Sequence, residues 1–348
     1  MARNRNKSKN VNIVAKDSVH VINLSSYTSP QVIENPRKDY IEYGDDNQYF
    51  KYLIDRYNGS ATNNAAINGI SEMIYGRGLD ASDSKDKPEA YEQMKSLFTK
   101  ECMKKVCYDY KMMGQAAVQV IYTKDRTKVF EVEHMPIETL RAEKAIEGKV
   151  RAYYYHPKWE DIKKDDDPKR ISAFGMSKDG IEILYIRPYK AGFYYYSPVD
   201  YQGGLQYAEL EEEIANYHIN NIQNGLQPSM LINFNNGTPN KEQRDEIERA
   251  IYEKFSGTSN AGKFILAFND SKELAASIEP VTIPDAYQQY EFLANESMTK
   301  VMVSHRIVSP MLVGIKDKTG LGNNAQELET ASILMDNTVI RPMQVTII

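Results

Sequence analysis

The stretch Leu205-Gln206-Tyr207-Ala208-Glu209-Leu210-Glu211-Glu212-Glu213-Ile214-Ala215-Asn216-Tyr217-His218-Ile219-Asn220-Asn221-Ile222-Gln223-Asn224-Gly225-Leu226-Gln227-Pro228-Ser229-Met230-Leu231-Ile232-Asn233-Phe234 decides how the chain is organised. Leu210, Ile214, Tyr217 and Ile222 recur at helical spacing, so the stretch opens as a long helix over 205–222. The acids Glu209–Glu213 load its first half, where the helix dipole favours negative charge. Gly225 and Pro228 end it. Met230–Phe234 then reads as a strand and Asn235-Asn236-Gly237 as a turn. Asn240 with Gln243 has the spacing of a capping box. Ile247, Ile251 and Phe255 mark a helix that Gly257 closes, and Phe264–Phe268 reads as a second strand. A second long helix follows over 285–304, with Tyr290, Leu293, Met298, Val301 and Met302 as its apolar positions and Pro284 suited to its first turn. Two long helices thus flank a compact strand–helix–strand unit.

Towards the N-terminus the texture alternates. Residues 1–40 lack periodicity and are rich in Asn, Ser and Lys, which predicts an arm ordered only by a partner. Phe50, Leu53, Ile54 and Tyr57 fall on one helical face, and Ala66, Ile67, Ile70, Met73 and Ile74 on another. A third and longer helix is predicted from Tyr91 to Met113, stopping at Gly114. Ala116–Tyr122, Val129–Glu133, Val150–Tyr155 and Ile181–Arg187 are β-branched or aromatic runs separated by turns, a small mixed or antiparallel sheet. The charged run Lys163–Arg170 reads as a solvated loop. Towards the C-terminus, Arg306–Asn324 is a glycine-containing loop and a last helix starts near Ala325, which Pro342 is expected to interrupt. The chain stops at Ile348 in an apolar run, which predicts that the native protein continues. The fold class is therefore α+β, and no internal repeat is present.

Composition narrows the function. The 348 residues are 41% hydrophobic and 26% charged, the balance of a globular protein with a sizeable core. No run reaches the roughly 20 apolar residues that span a bilayer, and the basic N-terminus has no apolar segment after it, so no membrane partner and a cytoplasmic site of synthesis are expected. A net charge of −5 argues against tight gripping of nucleic acid. Cys102 and Cys107 are too few for a disulfide framework and have no zinc spacing, and their separation predicts different helix faces. The 25 tyrosines cluster at Tyr153-Tyr154-Tyr155 and Tyr194-Tyr195-Tyr196, which suits either edge strands within one domain or a surface between subunits. No phosphate-binding glycine loop, nucleophile elbow or His-Glu-x-x-His pair occurs. His218 has Glu211 two turns earlier on nearly the same face, which reads better as a structural histidine than as a catalytic pair. No catalytic residue, metal site or cofactor is expected.

Four ordered features from Tyr194 to Gln344 resemble the portal proteins of tailed bacteriophages. They are Tyr194-Tyr195-Tyr196-Ser197-Pro198 with Gly203-Gly204; Asn220-Asn221-Ile222-Gln223-Asn224-Gly225-Leu226-Gln227-Pro228; Phe255-Ser256-Gly257-Thr258-Ser259-Asn260-Ala261-Gly262-Lys263; and His305-Arg306-Ile307-Val308-Ser309-Pro310-Met311-Leu312-Val313-Gly314 followed by Asn324-Ala325-Gln326-Glu327. Tyr43-Gly44-Asp45-Asp46-Asn47 and Ile74-Tyr75-Gly76 resemble the family more loosely, and the nearest look-alikes are portals of phages of Bacteroides-like hosts.

The resemblance implies a plan: an arm at 1–40, a wing at 41–204, stem helices at 205–227 and 284–305, a clip at 228–283, a tunnel loop at 306–324 and the start of a crown region at 325–348. It implies a homo-oligomeric ring, a dodecamer, in a virion assembled in bacterial cytoplasm. Double-stranded DNA would pass through it non-specifically. The terminase large subunit, a head–tail adaptor, and capsid or scaffold proteins would be its partners. The tunnel loop would present Lys316, Lys318, Thr319, Gly320 and Gly322 to DNA, and Lys241, Arg244, Asp245, Arg249 and Lys263 would carry clip contacts. A different head–tail adaptor, or a nucleic-acid enzyme with clustered carboxylates, stays open as an alternative.

Overall fold

A computed structural model describes residues 30–163, 165–177, 180–223, 230–234, 239–255, 264–268, 271, 286–315 and 325–348. In chain order the elements are β1 (Val32–Ile33), β2 (Glu42–Tyr43), α1 (Tyr49–Gly59), α2 (Ala61–Tyr75), α3 (Pro88–Leu97), α4 (Lys100–Met113), β3 (Ala116–Tyr122), β4 (Val129–Met135), β5 (Leu140–Ala142), β6 (Ala152–Tyr155), β7 (Lys169–Ser172), β8 (Ile181–Ile186), α5 (Leu205–Gln223), β9 (Met230–Phe234), α6 (Lys241–Phe255), β10 (Phe264–Phe268), α7 (Ala286–Ser304), α8 (Ala325–Met335) and α9 (Arg341–Ile347). The architecture is α+β, as the periodicities predict.

Two three-stranded antiparallel sheets, ordered β4-β3-β8 and β5-β6-β7, form the body with α1, α2 and α4. A parallel bridge between Ala173 and Ile183 joins them. Alternation along β3 turns Val118 and Val120 to one face, where they meet Val132 of β4, Ile70 and Ile74 of α2 and Val106 of α4. The second core gathers Tyr43, Phe50, Leu53, Ile67, Ile137, Leu140, Tyr196 and Tyr201. Burying each of these large side chains is worth about 1.5–3 kcal/mol relative to leaving it in water.

Several expectations change. The helix expected over 91–113 is two helices. Phe98 leaves helical geometry at φ −99°, ψ 79°, and Thr99 caps α4 by accepting the Cys102 amide at 3.2 Å. Cys102 and Cys107 lie five residues apart on α4, and both thiols are buried in one core because that helix is covered on most sides. Burial pushes the Cys107 thiol up to about 11. The charged run is not wholly loop. Lys169 and Arg170 open β7, and Arg170 bridges to Glu143 at 2.6 and 3.0 Å. Residues 1–29 of the expected arm lie outside the described residues. From Pro30 onward the chain is held: β1 pairs with β2, and Tyr40 packs edge-on against Trp159.

Pro342 does not stop the last helix. Asp336–Ile340 forms a single π turn between α8 and α9, and Met335, Ile340 and Arg341 keep helical dihedrals. Widening the helix just before the proline accommodates its ring and missing N–H. Met335, Val339, Ile340 and Met343 of this helix close the core over α2 and α4.

The clustered tyrosines are divided. Tyr196 is fully buried, donates to the Ile41 carbonyl at 2.5 Å, accepts the Ala142 amide at 3.0 Å and stacks on Tyr43 at 4.3 Å. Tyr153 stacks on Tyr185 at 4.6 Å. Tyr194 is about half exposed. Arg141, also fully buried, lies between the Phe50 and Trp159 rings and donates to Asn47 and to the Glu138 and Leu140 carbonyls.

Candidate functional site

The chain enters α5 through Gly203-Gly204, and the second glycine is sterically required. A Cβ on Gly204 would lie 2.1 Å from the Ser304 hydroxyl oxygen, at the end of α7. The start of α5 therefore touches the end of α7, and the two helices run antiparallel from there. Some 20 Å along, at 1.5 Å per residue, Tyr217 stacks on Tyr290 at 4.6 Å. The strand–helix–strand segment is inserted beyond this far end.

The near half of α5 is bound to the body. Glu212 and Glu209 pair with Arg56 of α1 at 3.0 and 3.6 Å. Glu211 accepts the Ser60 and Thr62 hydroxyls at the α1–α2 corner. Three of the four acids in the run, Glu209, Glu211 and Glu212, thus anchor α5 to the body. His218 stands exposed against Tyr290 and makes no pair with Glu211. The far half is mostly solvent-facing: Ala215, Asn216, Tyr217, His218, Ile219 and Asn220 are all exposed. On α7, Phe292 and Val303 are each 64% exposed.

Past α7 the chain is pinned to α2. His305 is fully buried, stacks on Tyr201 at 4.3 Å and lies 2.9 Å from the Asn63 side-chain oxygen through Nε2. The Asn63 amide nitrogen donates to the Arg56 carbonyl, so its oxygen faces the ring and Nε2 carries the proton. Burial, and next the nearby Lys111 charge, hold the imidazole well below its usual range, so it is neutral. Lys111 is itself buried and donates to both oxygens of Asp200 at 2.8 and 3.0 Å. The turn Pro310–Val313 then sits on α2, where a Cβ on Gly69 would come within 3.0 Å of Val313. Sequence reasoning singled out the His305–Gly314 motif but not its partners Asn63, Lys111, Asp200 and Tyr201, which no local pattern connects.

In the inserted segment β9 and β10 pair in parallel, Met230 with Phe264 through Phe234 with Phe268. Asn240 and Gln243 form the expected capping box: the Gln243 amide donates to the Asn240 side chain at 2.9 Å and the Asn240 amide to Gln243 at 3.3 Å. Lys241, Arg244, Asp245 and Arg249 are all exposed on α6, and Arg244 lies over the Phe268 ring at 5.7 Å. Lys263 lies outside the described residues, as do Lys316, Lys318, Thr319, Gly320 and Gly322. Among the described residues no group of three or more His, Cys, Asp or Glu is placed to hold a metal, and no helix is long and apolar enough to cross a membrane.

No protein-family model matches the chain, and no curated protein is significantly similar to it. Solved structures do match. A chain in the neck of an empty GTA particle, computed with C6 symmetry, aligns with a TM-score of 0.57 at 14% identity, over 86% of this chain and 78% of that one. A chain in the neck of the native particle, computed with C12 symmetry, aligns at 0.56 and 13% identity, over 91% and 80%. A further match is the crystal structure of an HK97-family phage portal protein from Corynebacterium diphtheriae, at 0.47 and 12% identity, over 84% and 86%. The α+β fold of this chain is that of a component of gene transfer agent necks.

Proposed function

We propose that the chain is a portal protein: a ring-forming subunit of a phage-like particle through which double-stranded DNA enters and leaves. The carrying observation is the antiparallel pair α5 and α7, with its far half exposed in the single chain and a strand–helix–strand segment inserted at its tip. A two-stranded parallel sheet has open hydrogen-bonding edges on both sides, and neighbouring copies would cover them. Exposed helix faces and open edges repeated head to tail about an axis close into a ring.

In this reading residues 41–204 are the wing, 205–227 and 284–305 the stem, 228–283 the clip, 306–324 the tunnel loop and 325–348 the approach to the crown. The ring is a dodecamer, in keeping with the C12 symmetry used for the neck of the native particle it resembles. The clip, with Lys241, Arg244, Asp245, Arg249 and Lys263, meets the terminase large subunit and later a head–tail adaptor. Capsid or scaffold proteins meet the wing. Lys316 and Lys318, with Thr319, Gly320 and Gly322, touch passing phosphates weakly. The assembly is part of the virion.

Light scattering and negative-stain microscopy of the purified chain test this. Rings of about a dozen copies with a central hole are expected of such head-to-tail closure. A chain that stays monomeric at every concentration would overturn it.

A further inference from the structure

Between α4, the Tyr189-Lys190 turn and the start of the Arg306 segment lies a cavity of about 180 Å³, closed on one side by Pro342 and Thr346 of α9. Its charges do not balance. Lys111 lies behind it, wholly buried and bonded to both oxygens of Asp200. Arg306 reaches the same carboxylate at 3.6 Å while remaining 51% exposed. Lys190 also lines the cavity and makes no ion pair among the described residues. Arg306 and Lys190 both line the cavity, and Arg306 shares the Asp200 carboxylate with Lys111. One carboxylate thus faces three cations. At the rim, Tyr189 is 88% exposed.

A cavity of this size is smaller than the roughly 300–1,000 Å³ of sites that enclose a whole small molecule, so it suits a group rather than a molecule. An excess of two positive charges matches a dianion better than a lone carboxylate. The guanidinium fork of Arg306 and the ammonium of Lys190 are the donors that phosphate oxygens take. We propose that this cavity binds a phosphate group, with the rest of the ligand lying outward across Tyr189. The phosphate comes either from a free phosphate or nucleotide, or from a nucleic-acid backbone. The proposal does not depend on ring formation.

Calorimetric titration of the full chain at low ionic strength tests it, using inorganic phosphate, adenosine monophosphate, a short duplex oligonucleotide and acetate as separate probes. Saturable binding of at least one phosphate probe is expected, with acetate much weaker. Lys190→Ala, which loses no ion pair, is expected to weaken it roughly ten-fold, the scale of one charge-assisted contact. Arg306→Lys is expected to weaken it less. Lys104→Ala, on another face, leaves it unchanged. Binding of phosphate or the nucleotide identifies a small ligand. Binding of the duplex alone, equally sensitive to Lys190→Ala, identifies a backbone phosphate. No saturable binding of any phosphate probe, acetate binding as well as phosphate, or affinity indifferent to Lys190→Ala would each sink the proposal.

Discussion

Gly204 and Ser304 meet where α5 begins and α7 ends, so closely that a Cβ on the glycine would fall 2.1 Å from the serine hydroxyl oxygen and 2.7 Å from its Cβ. This contact fixes the angle at which the two long helices leave the body. The glycine is needed for space, since nothing in its backbone geometry demands it. Gly204→Ala is therefore expected to destabilise the chain by about 1–3 kcal/mol, the usual penalty for overpacking. Ser304→Gly in the same chain should recover most of that loss, whereas Ser304→Ala should not, because the Cβ remains. Urea denaturation of the native chain, each single variant and each double variant measures the coupling, and strictly additive effects would refute the contact.

A second expectation concerns assembly. Phe292 and Val303 are eleven residues apart, about three turns, so they lie on one face of α7, each 64% exposed. In the proposed ring, this outward face of α7 would meet a neighbouring copy. Phe292→Ser with Val303→Ser should leave the thermal midpoint of the separated chain nearly unchanged while abolishing ring formation in light scattering. Rings of normal size from the double variant would show that α7 lines no subunit contact.

The features that could be read from the sequence are those in which cause and effect lie within a few residues. The capping box of Asn240 and Gln243 spans four positions, and the alternation that makes Ala116–Tyr122 a strand is complete within the strand. The break at Thr99 was hidden because the apolar positions before and after it continue in helical phase. Strand β5 is too short, and β7 too charged, to show a period. The junction below α7 was illegible for a different reason. Asn63 and His305 are 242 residues apart, and Lys111 and Asp200 are 89 apart. Only the fold brings them together. The tyrosines illustrate both cases, since the sequence marked Tyr194-Tyr195-Tyr196 as unusual but could not say that Tyr196 turns inward.

That buried tyrosine is testable. Its hydroxyl donates to Ile41 and accepts from Ala142, joining the segment before β2 to β5. Tyr196→Phe keeps the stacking on Tyr43 but leaves a buried carbonyl and a buried amide unpaired. The expected loss is about 1–3 kcal/mol, the cost of orphaned buried polar groups. A change below about half a kcal/mol, the range of inert surface substitutions, would mean that water replaces the hydroxyl there.

His305 makes the stability of the fold depend on pH. Burial, and then the Lys111 charge, hold its folded-state pKa well below the ordinary histidine value of about 6.5. Below 6.5 the unfolded chain therefore binds a proton that the folded chain refuses. Stability falls as pH drops through the window from 6.5 down to the folded value, by at most about 1.4 kcal/mol per pH unit for a single group. Lys111, whose charge bears on the ring, is bonded to Asp200, which Arg306 also approaches, so only the difference between the native chain and a variant without the imidazole isolates the slope that His305 contributes. His305→Gln retains a donor for the Asn63 oxygen and removes the titration. Urea midpoints measured from pH 7.5 to pH 5 should fall more steeply for the native chain than for the variant. Parallel curves would show that His305 does not couple the root of α7 to pH, and the Asn63 contact would then be no more than a packing contact.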